Sequence, residues 1–506
     1  MSLRTLYQQP VPVDFLRDES RKTGSAEAIC FPRSIREVAD AARDATAEQK
    51  TITVQGSRTG ISAGAVPDGG VIISLSKMDA ILGPVAGENA TLNLRVQPGV
   101  TLASVRRYLA SAPALASPLF FAPDPTETSA SLGGMAACNS SGACSFAYGA
   151  TRNHIQALTL VLADGDILNV RRGREKADGL RFAVTTAGGR CLAGALPPLR
   201  MPAVKSAAGY WVAPDMDLLD LFIGSEGTLG IVAELELRLT PRPAETVGLL
   251  CYFEDEGQAL NVVQSLRQHA PSAKPHTLAA IEYFDAGSLR LIRGSTALTG
   301  LVLPPPKTHW KVALYLEWAL AYPDPAPALL TARLLGASGG HADDTWMASD
   351  APSLDKMKAF RHAVPEQVNA LIAERKRTCP ELTKLGTDLS VPDDKLCSVM
   401  EMYRRDLSAA RLEHVIFGHI GNNHVHVNIL PRDMAEFAAG KSLYRKWAEQ
   451  VVAWGGSVSA EHGVGRLKKE LLAIMYGAEQ IEGMRRLKAL FDPEMRLNPN
   501  RLFDLR

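Results

Sequence analysis

The chain has 506 residues, 46% of them hydrophobic and 22% charged, with 55 basic against 54 acidic side chains and a formal net charge of +1. That length exceeds one compact core, so two or more domains are expected. The even charge balance excludes the basic excess of a nucleic-acid binder. Seven scattered cysteines (Cys30, Cys138, Cys144, Cys191, Cys251, Cys379, Cys397) show neither CxxC spacing nor a disulfide framework, which fits a reducing compartment. No stretch approaches ~18 continuous apolar residues, so no transmembrane segment is expected. Met1–Thr5 opens no apolar signal segment, and the expected location is cytoplasmic, with a peripheral place at a membrane as the alternative.

Ser34, followed three residues later by Glu37, reads as a capping box, and Ile35, Val38, Ala39 and Ala42 give the next helix an apolar face. A strand from Thr51 to Gln55 leads into the loop Gly56-Ser57-Arg58-Thr59-Gly60-Ile61-Ser62-Ala63-Gly64. Strands follow at Val71–Leu75 and Leu92–Val96. Residues 158–170 read as a hairpin turning at Asp164-Gly165. The weakly periodic segment 171–215 is expected to be a mobile surface loop, a partner contact being the alternative. Ile231–Leu239 is a long alternating strand, and Pro241 and Pro243 then mark a domain boundary. From about 247 to 455, strand-like runs (Leu249–Phe253, Val312–Trp318, His414–Ile420, His424–Leu430) alternate with amphipathic helices in an α+β pattern. The Pro-rich segments 304–306 and 323–327 read as surface loops. Helices return from about 466.

Three segments concentrate small residues: 56–64, then 129–142, then Gly224-Ser225-Glu226-Gly227-Thr228-Leu229-Gly230. Glycine lets successive backbone N–H groups turn toward a phosphate, and Ser and Thr add short donors. No GxGxxG opens a helix after the first strand, which disfavours a Rossmann site. Gly60-Ile61-Ser62-Ala63-Gly64 matches the GxSxG of a hydrolase, but that elbow needs a helix straight after the serine, and Pro67, Gly69 and Gly70 oppose one.

In order and content these loops resemble the FAD-binding domain of the vanillyl-alcohol oxidase and p-cresol methylhydroxylase superfamily. The family's GGGTGLSGG pyrophosphate loop corresponds to 56–64. Its PDP…GG segment corresponds to Pro123-Asp124-Pro125 with Gly133-Gly134, its NAGG to Asn139-Ser140-Ser141-Gly142, and its most specific string to Phe222–Ile231. The resemblance implies FAD contacts from Gly56, Ser57, Arg58, Thr59, Gly60, Ser62, Pro123, Asp124, Gly133, Gly134, Ala137, Asn139, Ser140, Gly142, Tyr148, Thr151, Glu226, Gly227, Gly230 and Ile231. Asn498 in Leu497-Asn498-Pro499-Asn500 resembles the family's NPGK tail. Arg58 departs from the pattern; it either adds a phosphate contact or crowds the loop. No histidine stands where some relatives attach flavin, which implies non-covalent FAD.

Phe417–Asn428 holds His419, His424 and His426, and Glu461-His462-Gly463-Val464-Gly465 follows about 35 residues on. Imidazoles plus a carboxylate suit a divalent metal such as zinc, manganese or iron(II). On a strand, His424, His426 and Asn428 share a face, and a turn at 421–423 folds His419 back beside them. These strings resemble the GHxGDGNLH and EHG(I/V)G motifs of the flavin-dependent D-2-hydroxyacid dehydrogenases, which include D-lactate, D-2-hydroxyglutarate and glycolate enzymes. The resemblance implies metal ligands His419, His426 and Glu461 and a catalytic base at His462. It also implies a substrate-carboxylate clamp at Arg361, with Lys384 (shortly before Asp388-Leu389-Ser390-Val391-Pro392) and Asn428 as further substrate contacts. Asn422 and His424 depart from the pattern; His424 is either an extra ligand or shifts substrate preference or metal identity.

The expected architecture is a p-cresol methylhydroxylase-type FAD-binding domain of two α/β subdomains over residues 1–243. An α+β cap with an antiparallel sheet carries the metal site over 244–455, and a C-terminal helical segment, 456–506, returns to the FAD domain. The implied reaction is oxidation of a small D-2-hydroxy acid to its 2-oxo acid, with hydride passing to the flavin and a metal polarising the substrate hydroxyl. Two alternatives stay open: an aldonolactone or alcohol oxidase of the same superfamily, and an electron-transfer subunit without turnover. The partners implied are the hydroxy acid and an external electron acceptor (a quinone, a cytochrome or an electron-transfer flavoprotein), with a homodimer as an open assembly.

Overall fold

A computed structural model describes residues 7–87, 91–111, 118–294 and 307–505. Near the N-terminus, Ser34 caps the helix Ile35–Ala47 by accepting from Glu37 N, and the Glu37 carboxylate accepts from Arg33 N. Its Val38, Ala39, Ala41, Ala42 and Ala45 pack on a four-stranded sheet of order Tyr7–Gln8, Ala28–Cys30, Val71–Ser74, Ile52–Gln55. Small side chains on that helix face let it lie close to the sheet. The outer edge of Ile52–Gln55 is finished by the far end of the chain. Leu497 forms a parallel bridge with Ile52, Asn498 N donates to Ile52 O, and Val54 N donates to Asn498 Oδ1 at 2.8 Å.

The second sheet is antiparallel, in the order Ile81–Ala86, Leu92–Val96, Ile231–Arg238, Ile155–Val161, Ile167–Arg171. The hairpin turns at Asp164-Gly165 as expected. Gly165 takes φ +80, and a Cβ there would meet Ala39 O at 2.4 Å, so the turn also sets how closely the helix of the first sheet approaches.

The segment 171–215 corrects the expectation of a mobile loop. Arg181–Thr185 pairs antiparallel with Cys191–Ala195, and alternation turns Phe182 and Val184 inward. Phe182 stacks on Phe491, at the end of the helix Lys469–Phe491, with ring centroids 5.7 Å apart. Leu196, Tyr210 and Val212 are also buried, so the segment has a core of its own to hold it.

The cap is built on a seven-stranded sheet: Thr345–Ala348, Glu245–Phe253, Val312–Leu320, Thr277–Phe284, His414–Gly418, His426–Ile429, Leu385–Gly386. All its pairings are antiparallel. One apolar cluster joins Leu250, Tyr252 and Phe284 of this sheet to Met357, Phe360 and Val364 of the helix Ala351–Arg375. Leu249, Cys251, Leu316 and Trp318 join the other core, with Leu260, Val263 and Leu266 of Glu256–His269. Of the two Pro-rich segments, 304–306 lies outside the described residues. In the other, Pro327 sits in the first turn of the helix Ala326–Ala337, where no backbone N–H is needed; the loop ends at 325.

Candidate active site

The small-residue loops surround one cavity of about 360 Å³, within the range of small-molecule sites. Gly56, Ser57, Arg58, Thr59, Gly60 and Ser62 line it, as do Gly133, Gly134, Ala137, Ser140, Gly142, Glu226, Gly227, Gly230 and Asn498. A Cβ on Gly56 would lie 2.1 Å from Ser131 Oγ, and one on Gly142 2.1 Å from Asp124 O, so backbone closes in where no side chain fits. Ser131 Oγ accepts from Ser57 N and Gly134 N, both at 3.3 Å. Arg58 holds φ +61, a region that favours glycine, with its guanidinium carbon 4.1 Å from the centroid of Phe15; burial lowers its pKa.

Pro123, Asp124, Asn139, Tyr148, Thr151 and Ile231 sit behind this lining. Asp124 accepts from Cys144 N at 3.0 Å, and Asn139 Oδ1 accepts from Arg152 N at 2.9 Å. Thr151 Oγ1 donates to Ser140 O at 2.6 Å, and the Tyr148 ring meets Phe120 edge-on. Pro123 and Ile231 are buried. Ser62 is followed by no helix; its hydroxyl donates to His462 O at 3.2 Å, a structural bond rather than a hydrolase nucleophile's setting.

His419, Glu461 and His462 line the same cavity. The strand His414–Gly418 ends before His419, a short turn over Ile420–Asn422 reverses the chain, and Asn423 takes the left-handed conformation at φ 52. The three imidazoles are thereby brought together, with His424 and His426 ring centroids 4.5 Å apart and His419 5.4 Å from His424. The returning strand begins at His426, so His424 precedes it and bridges instead to Ser390.

Each ring has one nitrogen set against a buried acceptor and the other toward Glu461. His419 Nδ1 donates to Glu282 Oε1 at 2.7 Å, and its Nε2 lies 3.2 Å from Glu461. His426 Nδ1 donates to Thr387 O at 3.0 Å, and its Nε2 is also 3.2 Å from Glu461. His424 Nε2 lies 3.0 Å from Asp388 Oδ1, and its Nδ1, without a hydrogen-bond partner, is 3.9 Å from Glu461 Oε2. The four ligand atoms lie within 4.8 Å of one another. Three imidazoles and a carboxylate, each imidazole oriented from behind, make a donor set that fits a divalent cation.

Burial works against charge throughout this cluster, yet the carboxylates win at His419, which Glu282 and Glu461 push up to about 9. Burial pushes His462 down to about 4 against the pull of Asp388 and Glu461. His424 falls well below the usual histidine range, first by burial and then by His426. Glu461 stays well below the usual carboxylate range because His419, Lys205 and His424 outweigh its burial.

Asp388 and Lys205, two groups the sequence did not single out, complete the site. Asp388 accepts from Glu461 N, His462 N, Ser459 Oγ and Lys468 Nζ. Lys205, from the 171–215 segment, puts Nζ 2.7 Å from Glu461 Oε2. Arg361 lies half-buried on the helix Ala351–Arg375; burial opposes its charge, but Glu282 and Asp124 raise its pKa. Asn428 is buried in its strand opposite Gly386 and Val415. Lys384 has its pKa lowered by burial and by the Arg21 guanidinium, and among the described residues no hydrogen bond or ion pair joins it to the histidines.

The family model described as FAD linked oxidases, C-terminal domain, matches residues 242–502, and that of the FAD binding domain matches 26–171. The chain belongs to the FAD-linked oxidases. A probable mitochondrial D-lactate dehydrogenase of Danio rerio is 30% identical over 97% of this chain and 87% of its own length. A D-2-hydroxyglutarate dehydrogenase of Stutzerimonas stutzeri (strain A1501) is 28% identical over 94% and 90%, and the glycolate oxidase subunit GlcD of Bacillus subtilis (strain 168) 28% over 94% and 89%. A solved alkyldihydroxyacetonephosphate synthase shares the fold, with a TM-score of 0.63 and 17% identity over 95% of this chain and 77% of that one. Among the described residues, no helix is long and apolar enough to cross a membrane.

Proposed function

We propose that this FAD-linked oxidase oxidises a small D-2-hydroxy acid to its 2-oxo acid and passes the electrons to an external acceptor. One observation carries the reading: the FAD cradle and the His419–Glu461–His462 group line a single cavity. The relatives named for D-lactate, D-2-hydroxyglutarate and glycolate support the substrate class.

FAD, when bound, supplies the acceptor for a hydride equivalent from the substrate carbon. A divalent cation (zinc, manganese or iron(II)) would be held by His419, His426 and Glu461, with His424 turned toward the same point, and would supply a Lewis acid that lowers the pKa of the substrate hydroxyl. His462 takes the hydroxyl proton. Its depressed pKa leaves the ring neutral near pH 7, as a base requires, and Asp388 steadies its Nδ1 side at 3.5 Å. Arg361 offers a planar fork to the substrate carboxylate. Lys384 and Asn428 are proposed as outer substrate contacts.

Anaerobic mixing with a panel of D- and L-2-hydroxy acids tests this. The flavin's visible band is expected to bleach with one or more D-acids and to persist with their L-isomers. Persistence with every acid of the panel would overturn the reading.

A further inference from the structure

Lys205 is a buried ammonium whose place is set on both sides. Its own carbonyl accepts from Ser390 Oγ at 2.7 Å, Ser206 Oγ meets Ser457 Oγ at 2.9 Å, and Ala207 N donates to Ser459 O at 2.8 Å. These bonds tie residues 205–207 to Ser390 on one segment and to Ser457 and Ser459, just ahead of Glu461, on another. The ammonium meets Glu461 Oε2 at 2.7 Å, and both side chains are 8% exposed. A lysine held this way does not choose its partner from solvent; the backbone aims it.

We propose that Lys205 is the positioning residue of the Glu461 carboxylate, an internal cation against which any divalent ion in the histidine cluster must bind. This rests on reading that cluster as a cation site. Glu461 Oε1 lies 3.2 Å from both His419 Nε2 and His426 Nε2, while Oε2 meets Lys205 Nζ at 2.7 Å, with His419 Nε2 at 3.2 Å and Ser141 Oγ at 3.4 Å beside it. The ammonium does two things there. It holds the carboxylate so that one oxygen stays occupied, and it adds a positive charge beside the position of an incoming dication. Repulsion between the two lowers affinity, while the fixed carboxylate keeps the ligand geometry narrow.

The test uses the FAD-loaded protein, stripped of metal by a chelator and titrated with Mn(II) and Co(II). Lys205→Met preserves the length of the side chain and removes its charge. It is expected to bind Mn(II) about tenfold more tightly or better, because the like charge beside the ion is gone. Its Co(II) complex is expected to show a changed visible spectrum as Glu461 gains freedom to use both oxygens. Lys205→Arg keeps the charge and is expected to hold affinity within about threefold of the parent. FAD content and melting temperature are followed alongside. Should Lys205→Met misfold, Lys205→Gln takes its place. Affinity that stays unchanged or weakens in the charge-free variant overturns the proposal while leaving the cation site standing. A parent protein that binds neither ion overturns the cation site as well.

Discussion

The Asp388 carboxylate holds His462 at two points, accepting its main-chain N–H at 3.1 Å and standing 3.5 Å from Nδ1. The same carboxylate accepts from Glu461 N at 3.2 Å and lies 3.0 Å from His424 Nε2. One buried acid thus fixes His462 relative to the three histidines and Glu461. Asp388→Asn, with nearly the same shape, is expected to slow flavin reduction by about 10²-fold while FAD stays bound. His462→Ala is expected to slow it by about 10²–10⁴-fold, the usual worth of a positioned base. Anaerobic single-turnover mixing measures both; full rates in either variant would remove that residue from its role.

Metal content is predicted to follow the imidazoles. His419→Ala and His426→Ala should each lower bound divalent metal by about tenfold or more at a fixed free concentration. Elemental analysis of desalted protein gives the number. Chelation should stop turnover with D-2-hydroxy acids, and activity that survives proven metal removal would count against the cation altogether.

The charges of Glu282 and Asp124 both act on Arg361, so removing its charge would leave buried acids uncompensated. Arg361→Lys keeps the charge and loses the fork. It is expected to raise KM for the hydroxy acid about ten- to hundredfold with a smaller change in kcat. Steady-state kinetics separates the two; an unchanged KM would place the substrate carboxylate elsewhere.

His154 gives the fold an acid-sensitive point away from the histidine cluster. It is 2% exposed, its Nε2–H donates to Tyr148 O at 2.8 Å, and burial pushes its pKa down to about 4. A depressed histidine pKa means that the folded state resists a proton the unfolded chain accepts. Its stabilising contribution is therefore full above the ordinary value near 6.5 and is lost as pH falls toward 4. The loss is on the order of 3 kcal/mol. His154→Gln should flatten melting temperature against pH across that window, and an unchanged acid slope would argue against it.

The sequence was most legible where chemistry and local pattern coincide. Ser34 with Glu37, the Asp164-Gly165 turn and the alternation of Leu92–Val96 each carry their own short-range signal. The strand Thr277–Phe284 does not. Seven of its eight residues are buried, so it shows no period of two and went unrecognised. Phe182 and Val184 alternate with exposed neighbours, but over only five residues inside a weakly periodic stretch, which hid a folded hairpin within an expected loop. Lys205 shared that concealment. Nothing local marks a lysine as buried, and its partner lies 256 positions away. Asp388 carries no local signal either, because a carboxylate that organises other residues looks like any other acid until its partners are placed.

The pairing of Asn498 with Val54 has a consequence for how the protein is made. The strand leading into the cavity-lining loop 56–64 is synthesised early, yet its outer edge is finished by a residue 444 positions later. Until the ribosome has delivered that residue, the edge stays unpaired and Glu226 O lacks the Asn498 Nδ2 donor it accepts from at 2.7 Å. Closure of this edge is then expected only once residue 498 has emerged and can pair. Ribosome-tethered chains that stop before Leu497 are expected to take up no flavin, and flavin fluorescence in isolated nascent complexes of that length would overturn this.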